Sequence, residues 1–314
     1  MSEIPAEMYL LAGVTAAGKS KISMMLAEGM GAEILSCDSV AVYKGMDIGS
    51  AKPSIQERQK LPHHGIDLVE VNEVYSVADY QVYIQKTVEE IKVKKKPIVV
   101  VGGSGFYLQS FLSPVVDDIE VSEETRSEVE ELYSQKGLEG ILASLKKLNP
   151  DGLGEMDTLN PRRVMRGLER CLASGKSILK LKDEFEKKPR PFPGFVKKVL
   201  WMDRENEDLE RRIFDRSRKM LEQGLLVETE NLLRAGIEGN APASNAVGYR
   251  ECIACLKGEI PEEELLTAIN YSTRRLVSKQ RKWFRKHLGE SARIMLEESA
   301  EFDNPTRLNW IRHS

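Results

Sequence analysis

The sequence has few cysteines, few aromatic residues and no long apolar run. Of its 314 residues, 4 are cysteine and 6% are aromatic, and no apolar stretch approaches the roughly 20 residues that a membrane span needs. Cys252 and Cys255 form a CxxC, but neither a second CxxC nor a nearby histidine completes a zinc site. The N-terminal segment MSEIPAEMYLLAG lacks the basic start of a secretory signal. These absences predict a cytoplasmic globular enzyme without a membrane partner.

The net charge of −3 says little, but the charges are unevenly distributed. Residues 117–131 are strongly acidic, whereas residues 274–287, RRLVSKQRKWFRKH, carry basic side chains and no acid. A basic stretch on an acidic protein favours a polyanionic partner on one face. A solvated helix face is the alternative.

Residues 13–20, GVTAAGKS, have the spacing of a P-loop. An apolar run, MYLLAG, precedes them, and apolar residues at helical spacing follow, which is the strand–loop–helix context that a P-loop needs. Backbone N–H groups of such a loop hold phosphate oxygens, and Lys19 adds a positive charge. The Ser20 hydroxyl is the predicted protein ligand of a Mg²⁺ cofactor on the same phosphates.

Further apolar runs at 32–36 and 97–103 alternate with a helical segment at 77–96. This alternation predicts an α/β fold: a P-loop NTPase-like core with a parallel sheet. No strand pattern occurs over 119–195, so we expect an all-helical inserted domain there. The predicted domains are a first part of the core at 1–118, the insertion at 119–195, and a second part at 196–314. Helices are expected at 206–223, 225–235, 243–257 and 262–288, and His63 and His64 in a loop.

The strand that should carry the metal-binding acid of a nucleoside triphosphatase lacks it. Residues 98–101 end in Gly102, Gly103, Ser104 and Gly105, with no Asp or Glu. The strand before it ends in Asp38, which can serve Mg²⁺, act as a base, or merely cap a turn. The residues alone leave two classes open: a small-molecule kinase, or a transferase that uses a diphosphate as leaving group.

A series of motifs decides between them. GVTAAGKS, DSVAVYKGMDIGSAKPS (38–54), GIDLVEVNEVYSVADY (65–80) and VVGGSGFYLQ (100–109) are followed by NPRRVMRGLE (160–169), NAVGYRE (245–251) and STRRLVSKQRKWFRKH (272–287). Over nearly the whole chain this set resembles the tRNA dimethylallyltransferase, or tRNA isopentenyltransferase, family. The resemblance implies transfer of a dimethylallyl group from dimethylallyl diphosphate to N6 of adenosine 37, just 3′ of the anticodon.

The resemblance also implies roles for individual residues. Asp38 is expected to be the general base, with Thr15 and Lys19 as the other catalytic residues. The loop is expected to hold the diphosphate, and the implied diphosphate ligands are Gly13, Val14, Thr15, Ala16, Ala17, Gly18, Lys19, Ser20 and Arg216. Val14 replaces a usual proline in the loop, which gives up a fixed φ.

The same resemblance implies that the anticodon stem-loop of tRNA is the partner, and a monomer is the default expectation for the chain. The expected contacts are Asp38, Ser39, Val40, Ala41, Ser104, Arg126, Arg162, Arg163, Val164, Met165, Arg166, Asn245, Ala246, Val247, Gly248, Tyr249 and Arg250. The basic C-terminal helix would contact the RNA backbone, and the insertion would act as a clamp. Ala41 replaces a frequent glutamine, and Ser104 replaces threonine but keeps the hydroxyl.

Three alternatives stay open at this stage. A transferase acting on free AMP or ADP would use the same chemistry, but it would need neither the insertion nor the basic helix. A P-loop kinase is disfavoured by the missing strand-end acid. A non-catalytic RNA-binding protein is disfavoured by the intact Lys19, Ser20 and Asp38.

Overall fold

The computed structural model describes residues 6–296 and 310–313. These residues form two compact units. The first contains the described residues up to Leu112 and those from Pro191 onward, and the second is Ser113–Arg190. The predicted insertion, 119–195, overlaps the second unit, and its role as a clamp stays a prediction.

Seven strands of the described residues form one sheet in the first unit. They are β1 (Ala6–Gly13), β2 (Glu33–Cys37), β3 (His63–His64), β4 (Ile98–Gly102), β5 (Phe195–Arg204), β6 (Arg293–Leu296) and β7 (Ile311–His313). The order is β3-β2-β4-β1-β5-β6, all parallel, and β7 pairs with β5 in the antiparallel direction. The α/β fold with a parallel sheet is thus confirmed, and β1, which leads into the P-loop, lies between β4 and β5.

Burial explains why the central strands read as continuous apolar runs. Leu10 and Leu11 of β1 and Val99 and Val100 of β4 are fully buried, because helices cover both faces of a parallel sheet. The chain rejoins the sheet after the second unit, because β5 pairs with β1.

Nine helices of the first unit flank this sheet in the described part of the chain. They are α1 (Lys19–Met30), α2 (Ile55–Lys60), α3 (Val77–Val93), α4 (Gly105–Gln109), α8 (Asn206–Glu222), α9 (Leu225–Arg234), α10 (Ala241–Ser244), α11 (Tyr249–Leu256) and α12 (Glu262–Leu288).

Two local predictions were wrong. The single helix expected at 243–257 is divided into α10 and α11, because Gly248 adopts φ 96°, which a continuous α-helix does not allow. His63 and His64 are not loop residues but the edge strand β3, in register with Ile34 and Leu35. His64 Nε2 lies 2.8 Å from a carboxylate oxygen of the buried Glu33.

The second unit contains α5 (Glu123–Lys147), α6 (Pro161–Ser174) and α7 (Ile178–Glu186), and no strand occurs in Ser113–Arg190. Ser122 caps α5 by accepting from the Thr125 N–H, as its sequence pattern predicts. α5 is kinked at Gly137, whose φ of 60° and ψ of −162° are not helical, so it consists of two helical segments that meet at this residue. The unit has its own apolar core, which includes Val129, Ile141 and Leu168.

None of the described helices is both long and apolar enough to cross a membrane.

Candidate active site

The P-loop connects β1 to α1, and its own backbone shapes it. The N–H of Val14 donates to the Met202 carbonyl oxygen of β5 at 3.1 Å, and the N–H of Ala17 donates to the Val14 carbonyl oxygen at 3.2 Å. Nζ of Lys19 donates to the same Val14 oxygen at 2.9 Å. Lys19 and Ser20 begin α1, where backbone N–H groups have no helical acceptor. The loop therefore gathers N–H groups and one ammonium group into an anion cradle.

Two side chains from distant parts of the chain hold this loop. Oε1 of Gln280, on α12, accepts from the Thr15 N–H at 2.8 Å, and Nε2 of Gln280 donates to the Gly103 carbonyl oxygen at 3.2 Å. Nε of Arg204, at the end of β5, donates to the Ala17 carbonyl oxygen at 3.0 Å. Neither residue is recognisable from the sequence, because they lie 265 and 187 positions from their partners in the loop.

A cleft of about 390 Å³ opens beside the loop. Arg216, which only the resemblance had singled out, lines it from α8. Its other lining residues are Ala16, Gly18, Lys19, Ser20, Lys21, Arg212 and Asp215. Five of the implied diphosphate ligands therefore face one space, which is lined by basic side chains.

The charged groups at this cleft affect the pKa values of one another. Burial and, to a smaller extent, the Arg216 guanidinium lower the pKa of Lys19, the Asp38 carboxylate opposes that shift, and the resulting pKa is about 8. Burial also lowers the pKa of Arg216, and Asp38 again raises it. Two cations thus share a poorly solvated site with one carboxylate, which is an arrangement that an anionic ligand would stabilise.

Asp38 directly follows β2. One carboxylate oxygen, Oδ1, accepts from the Val40 N–H at 2.8 Å, so the turn-capping role is present and occupies one of the two oxygens. The Ser104 hydroxyl accepts from the Ser39 N–H at 3.0 Å and lies 3.1 Å from the Ser39 hydroxyl. The turn that carries Asp38 is therefore fixed to the loop after β4.

The missing acid at the end of β4 has a steric cause. A Cβ at Gly102 would overlap the carbonyl oxygen of Cys37, so no side chain fits there. Strand β5, on the other side of β1, carries an acid, Asp203, one residue before its end, and this residue is fully buried. Its carboxylate pairs with Arg281 at 2.9 Å and with Arg293 at 2.7 Å. Asp203 is thus neutralised by arginines rather than directed at the phosphate loop.

The family model described as IPP transferase matches residues 41–287, which is more than half of the chain. This chain belongs to the IPP transferase family. Among similar proteins, the tRNA dimethylallyltransferase of Opitutus terrae is 44% identical over 285 residues, covering 91% of this chain and 92% of the relative. The tRNA dimethylallyltransferase of Geobacter metallireducens is 32% identical and covers 96% of both chains.

Solved structures of family members show the same fold. The tRNA isopentenylpyrophosphate transferase of Bacillus halodurans aligns with a TM-score of 0.68 and 30% identity, covering 95% of this chain and 92% of that one. A eukaryotic dimethylallyltransferase described as acting on tRNA aligns with a TM-score of 0.82 and 26% identity, covering 96% of this chain and 76% of that one.

The tRNA contacts expected from the family resemblance differ in exposure within the first unit. Ser39, Asn245 and Arg250 are exposed, whereas Ala41 and Tyr249 are buried. Ala246 and Gly248 are buried as well. The side chains of Ala41, Ala246 and Tyr249 are therefore packed inside the protein and Gly248 has none, so exposed neighbours must supply the side-chain contacts that the motif predicts.

Tyr249 has a structural partner that sequence analysis missed. Its hydroxyl donates to Oε1 of Glu228, on α9, at 2.7 Å. The same carboxylate accepts from the N–H groups of Asp47, Ile48 and Gly49 at 2.8 to 3.3 Å. Glu228 therefore connects residues 47–49 to the segment that contains Tyr249.

In the second unit the basic residues expected to contact tRNA lie on the surface. Arg126 of α5 and Arg162, Arg163 and Arg166 of α6 are exposed, and Met165 is half-buried. Val164 is fully buried in the core of this unit. Helical spacing turns the Val164 side chain away from the surface that the arginines occupy, and the expected tRNA contact of this residue stays a prediction.

The basic segment 274–287 lies within α12 and lines a groove of about 680 Å³. The groove is lined by Ser278, Arg281, Lys282, Arg285 and Lys286. Next to it, the Trp283 ring stacks on His287 with centroids 4.4 Å apart. The basic side chains thus cluster on one face of the helix, whereas Gln280 is on the buried face.

Proposed function

We propose that this chain transfers a dimethylallyl group from dimethylallyl diphosphate to N6 of the adenosine 3′ of the anticodon (position 37) in tRNA, giving N6-dimethylallyladenosine and free diphosphate. Family membership supports the prenyl transfer to tRNA. The observation that carries the detailed assignment is the cleft where Lys19 and Arg216 share their electrostatic environment with Asp38.

The P-loop is the proposed diphosphate site. Gly18, Lys19 and Ser20 line the cleft together with Arg216, which supports this assignment, because N–H groups at a helix start bind phosphate oxygens and Arg is well suited to bidentate contacts with them. As the allylic C–O bond breaks, its electron pair leaves with the diphosphate, and the positive charge on the organic fragment spreads over the allyl system. Preorganised donors that stabilise the growing negative charge lower the barrier. Thr15, in the middle of the loop, is a further proposed ligand.

Asp38 is the proposed general base. The N6 amine of adenine is a weak nucleophile, because its lone pair is delocalised into the ring. A carboxylate that accepts its proton while the new N–C bond forms removes this barrier. The Val40 N–H occupies one oxygen of Asp38, which leaves the second oxygen to receive the proton.

The residues at the loop also fit Mg²⁺. The Ser20 hydroxyl is exposed in the cleft, and the Asp215 carboxylate lines the same cleft. Mg²⁺ on phosphates needs only one or two protein oxygens, since phosphate and water supply the others. Bound there, the ion would neutralise part of the charge on the departing diphosphate.

The anticodon stem-loop is the proposed partner, held through its phosphates by the α12 groove. The target base must leave its stack to reach Asp38. The exposed arginines of the second unit are proposed as the contacts of a clamp. All proposed catalytic groups come from one chain, so we propose a monomer, and its tRNA substrate favours the cytoplasm.

A P-loop kinase is the second candidate, and the strand ends argue against it. Gly102 leaves no room for an acid, and Asp203 is paired with two arginines. A transferase of free AMP would not need the basic groove of α12.

A direct test uses two transcripts of one tRNA that differ only in adenosine or guanosine at position 37. After incubation with Mg²⁺ and dimethylallyl diphosphate, nuclease digestion and mass spectrometry should detect dimethylallyladenosine only from the adenosine transcript. Modification of both transcripts would contradict the assigned position, and modification of neither would contradict the proposed reaction.

A further inference from the structure

The side-chain amide of Gln280 fills the space between the P-loop and the loop that follows β4. Gln280 is 9% exposed. Its Oε1 accepts from the Thr15 N–H, and its Nε2 donates to the Gly103 carbonyl oxygen. The fit is close, because a Cβ at Gly103 would lie only 2.6 Å from Nε2. One amide therefore connects two loops that border the proposed diphosphate site.

The helix that carries Gln280 is itself fixed at this point. Arg281 pairs with Asp203 and donates to the Arg204 carbonyl oxygen at 2.8 Å, which joins α12 to the end of β5. The Trp283 ring packs against Gly105 at the start of α4. Gln280 is thus held by the helix on one side and holds the P-loop on the other.

Both functions of the amide are required by this geometry. The Thr15 N–H needs an acceptor, and the Gly103 carbonyl oxygen needs a donor. Leucine offers neither, and glutamate offers only the acceptor while adding a negative charge close to the proposed diphosphate site. Asparagine keeps both groups but is one methylene shorter.

We propose that Gln280 is a positioning residue: it keeps Thr15 and the P-loop in the shape that binds the diphosphate, without contacting the substrate. This rests on the proposed function in so far as the ligand of the loop is a diphosphate. It gives α12 a second role besides its basic groove, on the opposite, buried face of the same helix.

The test compares Gln280→Leu and Gln280→Glu with a matched control, Thr273→Val. Thr273 is also buried on α12, but its hydroxyl bonds only within the helix, to the Ile269 carbonyl oxygen at 2.8 Å. Titration calorimetry measures the Kd of inorganic pyrophosphate with Mg²⁺, and filter binding measures the Kd of tRNA. Thermal melting reports stability.

We expect Gln280→Leu to weaken pyrophosphate binding about tenfold, from the loss of the hydrogen bonds that order the loop. The KM for dimethylallyl diphosphate should rise by a similar factor, while tRNA affinity stays within about twofold of the wild type. Gln280→Glu should weaken pyrophosphate binding more than the leucine variant does, because of its added charge. Thr273→Val should leave pyrophosphate binding unchanged.

Wild-type pyrophosphate affinity in Gln280→Leu would overturn the proposal, as would an equal loss in Thr273→Val. If the leucine variant does not fold, Gln280→Glu and Gln280→Asn decide by the same comparison. Pyrophosphate binding does not require transfer of the dimethylallyl group. The positioning role of Gln280 and the proposed reaction can therefore be refuted independently. A wild-type protein that binds pyrophosphate but modifies no tRNA would overturn only the proposed reaction.

Discussion

Replacement of Asp38 by asparagine separates two effects of its carboxylate. Asparagine has nearly the same shape, and its side-chain oxygen can still accept from the Val40 N–H, so the turn should be retained. What is lost is the proton acceptor and the negative charge. Loss of a general base lowers the rate by about 10²- to 10⁴-fold. We expect a decrease of that size in the single-turnover rate of transfer to tRNA.

The lost charge has its own measurable effect. With its pKa lowered from 10.5 to about 8, Lys19 loses its proton much closer to neutral pH than an ordinary lysine does. The Asp38 carboxylate raises the pKa of Lys19 and so opposes the lowering by burial and by the Arg216 guanidinium. Without it, Lys19 should lose its proton at lower pH, so pyrophosphate affinity should begin to fall closer to neutral pH than in the wild type.

Asp38→Glu is the matched variant, because it keeps the charge but moves the carboxylate. Its transfer rate should fall, while the pH dependence of pyrophosphate binding should stay near that of the wild type. An Asp38→Asn enzyme that keeps more than about a tenth of the wild-type rate would refute the general-base assignment. An unchanged pH dependence in that variant would refute the electrostatic link to Lys19.

Three further predictions concern other parts of the first unit. In the wild type, pyrophosphate affinity should fall as the pH rises through about 8, where Lys19 loses its proton; calorimetry at pH 7 and pH 9 measures this, and a constant Kd would contradict it. Asp203→Asn should lower the free energy of unfolding by about 3 kcal/mol, since Arg281 loses its buried partner; urea denaturation should show it, and a loss below about 1 kcal/mol would count against the argument. Glu228→Gln should cost about 2 kcal/mol in the same assay, because the carboxylate accepts from N–H groups of residues 47–49; wild-type stability would show that this contact is dispensable.

Local patterns were sufficient for the elements that form the phosphate site. β1 and β4 were predictable because apolar runs closed by glycines are typical of buried parallel strands, and α1 because its apolar residues recur at helical spacing. The helix expected at 243–257 failed at Gly248, whose positive φ interrupts an otherwise helical pattern.

The residues that support the site could not be predicted in the same way. Gln280 and Glu228 act on backbone groups about 180 or more positions away, and no spacing rule connects such segments. The steric exclusion at Gly102 is likewise a property of two neighbouring strands, although the missing acid itself was visible in the sequence. Burial of Tyr249 within a motif expected to contact tRNA was also invisible without the packing.

The P-loop is proposed to hold the diphosphate leaving group of a transfer to tRNA. The most direct measurement incubates the purified protein with Mg²⁺ and radiolabelled dimethylallyl diphosphate, with unmodified tRNA in one tube and AMP in the other. We expect label in tRNA alone. Label in AMP would assign the chain to free-nucleotide chemistry, and label in neither, together with turnover of ATP, would contradict the claim and favour a kinase.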